Sequence, residues 1–78
     1  MQKQSVFQPA VLYRVDTTIR HDENGEYKEA VRLGVYHDPK SLREAIQAIR
    51  FPFEPSYIWP LADVAAWPER KLLRRRRR

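Results

Sequence analysis

Cysteine is absent from this chain of 78 residues, which excludes disulfides, thiolate metal sites and a cysteine nucleophile. A cysteine-free composition fits a reducing, cytoplasmic compartment. No run approaches the roughly 20 apolar residues of a membrane span, so no membrane partner is expected. Residues 1–5 also lack the apolar stretch of a signal peptide. Glycine occurs only at Gly25 and Gly34, which leaves no phosphate-cradling loop. Histidine occurs only at His21 and His37. His21-Asp22-Glu23 reads as a polar turn rather than a metal cluster, because neighbouring turn side chains point apart and a metal needs several converging ligands. Ser5, Ser41 and Ser56 have neither a glycine-flanked elbow nor an adjacent base to activate them. The expectation is a non-enzymatic chain without cofactor or metal.

What is present is unevenly distributed. Residues 1–68 hold eight Lys/Arg against nine Asp/Glu, a balance of −1. Residues 69–78 hold seven Lys/Arg against one Glu, a balance of +6, and Arg74 to Arg78 are unbroken. A near-neutral body of residues 10–68 is therefore expected, preceded by a flexible lead of residues 1–9, whose Val6 and Phe7 are candidates to dock on the body, and followed by a basic tail of residues 69–78. Like charges at this spacing repel, so the tail is expected to be disordered when free.

The body reads as a small α+β domain. Residues 10–20 alternate with period two, placing Val11, Tyr13, Val15, Thr17 and Ile19 on one face. Residues 27–37 do the same with Tyr27, Val31, Leu33, Val35 and His37. Between them, His21-Asp22-Glu23-Asn24-Gly25-Glu26 has hairpin composition. An Asn24-Gly25 loop would send the two apolar sets to opposite faces. A three-residue loop, Glu23-Asn24-Gly25, keeps them together by pairing Asp22 with Glu26, Val15 with Leu33 and Thr17 with Val31. Gly25 then supplies the left-handed conformation of a bulge.

Asp38 caps a helix that opens with Pro39 and buries Leu42, Ala45, Ile46 and Ile49. Ser41 with Glu44 is a competing capping box. The helix must end by Phe51, ahead of Pro52. Ser56-Tyr57-Ile58-Trp59 reads as a short third strand, and residues 61–67 as short helical turns. The expected architecture is thus a β-hairpin, one amphipathic helix and an irregular aromatic segment.

Three binding surfaces follow. Arg70, Lys71, Arg74, Arg75, Arg76, Arg77 and Arg78 are expected to contact nucleic-acid phosphates, which gives affinity without sequence choice. The plain alternative is a solvated end. On the outer hairpin face, Arg14, Arg20, Lys28 and Arg32 accompany Thr18 and Tyr36. In the register above Asp16 faces Arg32 and Arg20 faces Lys28, a repulsive pair unless an anion intervenes. The plain alternative is a solvated sheet face. Phe53, Tyr57, Trp59 and Trp67 could anchor a protein partner, although a domain this small needs such side chains to complete its core.

The leading expectation is a small accessory nucleic-acid-binding protein acting through its arginine arm, RNA or DNA. The other is a compact interaction module that inhibits or adapts a larger machine. Phage-encoded anti-defence and anti-CRISPR proteins offer a parallel of size and architecture, not of motif. In that mode the acidic turn Asp22, Glu23 and Glu26 would mimic phosphate and meet a basic partner; the plain alternative, and the favoured one, is that these residues only solubilise the hairpin tip. A homodimer joined through sheet edges or aromatic surface would also complete a thin core.

Overall fold

The computed structural model describes residues 7–59 and 64–74. Its elements are β1 (Ala10–Asp16), β2 (Arg20–Asp22), β3 (Gly25–Tyr36), α1 (Pro39–Gln47), β4 (Phe53–Ile58) and β5 (Arg70–Arg74), with a single 3-10 turn at Val64–Ala66. All strand pairings are antiparallel. The α+β hairpin-and-helix expectation is therefore corrected: the chain is a curled, half-barrel antiparallel sheet carrying one helix. β1 and β2 lie on one side of β3 and β5 on the other, since Tyr27 pairs with Arg20 on one flank and Arg74 on the other. β2 thus continues the line of β1, and the sheet runs β4, β1/β2, β3, β5.

Residues 70–74, read from composition as part of a free tail, form the edge strand β5. The charge run hides an alternation: Lys71 and Leu73 are half-buried, whereas Arg70, Leu72 and Arg74 are exposed. Arg75 to Arg78 and residues 1–6 lie outside the described residues, as do residues 60–63. Phe7, at the end of the expected flexible lead, packs against the helix-side core.

The register also differs from the expected one. The hairpin closes with the two-residue loop Glu23-Asn24, pairing Asp22 with Gly25 and His21 with Glu26. The Asp22 carboxylate accepts the Asn24 N–H at 2.8 Å, which turns the chain locally. Gly25, at φ 118°, supplies the positive φ. A second shift falls between Leu12 and Tyr13: Ala10 to Leu12 pair with Tyr36 to Gly34, whereas Tyr13 to Val15 pair with Arg32 to Ala30. Leu33 is left over as a bulge and is 42% exposed. The expected Val15–Leu33 and Thr17–Val31 pairs are absent: Val15 faces Ala30, and Thr17 lies in the break between β1 and β2.

The reason is that β1 is buried on both faces, so one shared apolar face is not what sets the register. On one face Val11, Tyr13, Val15 and Ala30 form a core covered by Val35, Ile58, Trp67 and Leu73. On the other, Ala10 and Leu12 pack under α1 through Leu42, with Ala45, Ile46, Ile49, Tyr36 and Phe7 around them.

The helix begins where the sequence placed it. Asp38 is the cap, accepting the Ser41 N–H at 2.8 Å and the Ser41 hydroxyl at 2.9 Å. It ends at Gln47, earlier than Pro52 requires, and the chain turns through a cis Phe51–Pro52 bond into β4. β4 is the expected third strand, starting three residues earlier than composition suggested. No described helix is long and apolar enough to cross a membrane.

Candidate functional site

Cross-strand partners share a sheet face, and side chains alternate along each strand. The pairings therefore sort the basic residues. Arg14, Arg20, Arg70 and Arg74 fall on the α1 side of the sheet, beyond the helix, together with Asp16, Asp22, Tyr27, Glu29, Val31, Phe53 and Leu72. Lys28, Arg32 and Lys71 fall on the opposite side. The expected surface of Arg14, Arg20, Lys28 and Arg32 is thus divided, because the two-residue Glu23-Asn24 loop moves β3 by one residue against β2, and the break between β2 and β1 keeps that phase as far as the Leu33 bulge.

On the side away from the helix, Arg32 and Lys71 both engage the connection that leads into β5. The Arg32 guanidinium donates through Nη1 to the Trp67 carbonyl, and the Arg32 N–H donates to the Glu69 carbonyl at 2.7 Å. The Lys71 ammonium lies 4.9 Å from the Trp67 ring centroid. The Tyr13 hydroxyl donates to the Pro68 carbonyl at 2.6 Å, fixing the same connection from below. Burial pushes the Tyr13 phenol above its ordinary pKa, against a smaller opposite pull from Arg32. Trp67 is therefore part of the core rather than an open anchor.

The arginine face is arranged differently. Arg20 lies 3.6 Å from Asp16 and 3.8 Å from Glu29, bridging two carboxylates. The Thr18 N–H, more than Arg20, holds the Asp16 carboxyl below its usual range. Arg74 grips Asp22 with two hydrogen bonds, 3.0 and 2.7 Å, and its guanidinium carbon lies 5.3 Å from the Tyr27 ring centroid. That grip, helped by the Asn24 N–H, lowers the Asp22 pKa to about 2.

Two arginines are left over. The Arg14 guanidinium carbon lies over the Phe53 ring, 4.2 Å from its centroid, and the Arg14 Nε is buried without an acceptor among the described residues. Arg70 is exposed and makes no ion pair among the described residues. Arg14, Val31 and Arg70 form one row across β1, β3 and β5. Two strand spacings separate the arginine backbones by about 10 Å, within reach of one another's side chains across Val31. Arg14 and Arg70 line a single depression with Asp16, Glu29, Val31 and Phe53. Neither protein-family models nor curated proteins nor solved structures give a match to this chain.

Of the aromatic anchors, Phe53 is committed to Arg14. Tyr57 and Trp59 stay open, 46% and 43% exposed, in an edge-to-face series with Phe7. Sequence reasoning missed Tyr27, Phe53 and Asp22 as seats for arginines. The contacts join residues distant in sequence, and no local pattern announces them.

Proposed function

We propose that this chain binds the sugar-phosphate backbone of nucleic acid through the arginine face and the arginines that follow it. The observation that carries the reading is the row of Arg14 and Arg70, two strand spacings apart, neither of which makes an ion pair among the described residues. Among the described residues four arginines stand against three carboxylates on this face, and the sequence runs from Arg74 directly into Arg75, Arg76, Arg77 and Arg78. Guanidinium groups backed by aromatic rings are pre-oriented, and their planar donor forks match phosphate oxygens. The exposed Tyr57 and Trp59 favour a second reading, a protein-interaction module whose anchors are those two rings.

Fluorescence anisotropy with labelled single- and double-stranded RNA and DNA across a salt series tests the proposal. Deleting residues 75–78 leaves Arg74 in place and should reduce the slope of log K against log salt by about 3, from four phosphate contacts at 0.7–0.9 each. Arg14→Ala with Arg70→Ala should reduce it by about 1.5. No binding at 50 mM salt, or unchanged slopes in both variants, refutes it. Binding that survives Tyr57→Ala with Trp59→Ala separates the first reading from the second.

A further inference from the structure

Among the described residues, the outer edges of β4 and β5 are not equivalent. Where β4 meets β1 the Thr17 N–H reaches the Pro52 carbonyl at 3.0 Å, and Asp16 is paired with Phe53. The alternation of an antiparallel ladder then turns the backbone groups of Glu54, Ser56 and Ile58 toward β1 and those of Phe53, Pro55 and Tyr57 outward. Pro55 has no N–H to offer, so the outward edge of β4 is broken at its middle.

In β5 the Arg32 N–H reaches the Glu69 carbonyl, and Val31 is paired with Arg70. The same alternation turns Lys71 and Leu73 toward β3 and leaves the N–H and C=O of Arg70, Leu72 and Arg74 pointing away from the sheet. No described residue pairs with that edge, and it contains no proline. It is a continuous ladder of three donors and three acceptors.

Charge selects the occupant. A second copy of β5 added antiparallel about Leu72 would set Arg70 against Arg74, a like-charge pairing that disfavours self-association. An acidic strand meets the opposite condition: carboxylates would face Arg70, which makes no ion pair among the described residues, and an apolar side chain would cover Leu72, itself 45% exposed. We propose that β5 captures an extended acidic segment of another protein by strand addition, backbone to backbone, with Leu72 at its centre. This uses the backbone edge of β5 and shares only Arg70 with the Arg14–Arg70 row; it does not depend on nucleic-acid binding.

The probe is the labelled, end-capped peptide Thr-Glu-Val-Val-Glu-Glu-Thr, titrated into the full-length protein at low salt. Binding at least tenfold tighter than that of the version with lysine for glutamate is expected. N-methylating alternate amides in one phase should abolish binding, and in the other phase should leave it. Leu72→Pro removes an outward N–H that the fold does not use, and should also abolish binding while retaining the full protein's melting temperature and nucleic-acid affinity. No binding at 100 µM, equal effects of the two methylation phases, or full binding by folded Leu72→Pro overturns the proposal. So does a concentration-dependent dimer that Leu72→Pro dissolves, which would assign the edge to a second copy. If Leu72→Pro fails to fold, the two methylated peptides decide the matter on the unaltered protein.

Discussion

Tyr13→Phe tests what holds the C-terminal strand to the sheet. Tyr13 is 2% exposed, and its hydroxyl is bonded to the Pro68 carbonyl across 55 positions of sequence. The phenylalanine fills the same space, so the packing of Val11, Val15 and Ala30 around it persists. What changes is one partly buried hydrogen bond and one carbonyl left without that donor. Such a loss costs about 1–2 kcal/mol. A domain of this size has a total stability of roughly 4–12 kcal/mol, so the change is a visible fraction of it. Each 1 kcal/mol corresponds to about 4–8 °C in Tm for a small domain. Calorimetry should therefore show Tm lowered by at least about 4 °C. Hydrogen exchange gives the local reading: the Arg32 N–H is bonded to Glu69, next to the released Pro68, and should lose protection before the amides of β1 do. Tyr13→Ala also removes the ring and should cost about 3–5 kcal/mol. A Tyr13→Phe protein with Tm lowered by less than 2 °C and native exchange at Arg32 would refute the claim that this bond docks β5.

The same phenol gives an alkaline signature. Its folded pKa is raised, so its contribution is complete below the unfolded value near 10 and is lost as pH rises through the folded value; Tyr13→Phe should flatten the fall in Tm above pH 10. Asp22 acts at the other end. With a folded pKa of about 2 against roughly 3.9 unfolded, its contribution is present above pH 4 and lost as pH falls toward 2, so Asp22→Asn should make acid unfolding shallower over that interval by circular dichroism. Gly25→Ala introduces a methyl that meets nothing within 4 Å, so only the backbone at φ 118° resists it; denaturant unfolding should show a loss of about 1–3 kcal/mol. Asp38→Ala leaves the Ser41 N–H uncapped and should lower Tm and weaken the helical signal, whereas Asp38→Ser should recover most of both.

These residues also show how far the sequence carries. Asp38-Pro39 announces its helix because capping is local chemistry, written in adjacent positions. The alternation in residues 10–16 announces β1 for the same reason. Register is not local. It depended on whether β1 buries one face or two, which is decided by α1 on one side and Trp67 on the other. A three-residue loop puts Arg14 and Arg32 on one face, whereas the observed two-residue loop puts Arg14 in line with Val31 and Arg70. β5 was obscured differently: its half-buried Lys71 and Leu73 sit within seven basic residues, and charge density there outweighed the alternation. Of the candidate site, the arginines themselves were legible. Their assortment into two faces, and the pairing of Arg20 and Arg74 with carboxylates, required the sheet.

The bidentate hold of Arg74 on Asp22 ties the end of β5 to the hairpin turn across 52 positions of sequence. Tyr27 joins the two from the middle strand, since it pairs with Arg20 on one flank and with Arg74 on the other. The turn and the edge strand are thus latched to each other as well as to β3, and releasing either one loosens its neighbour.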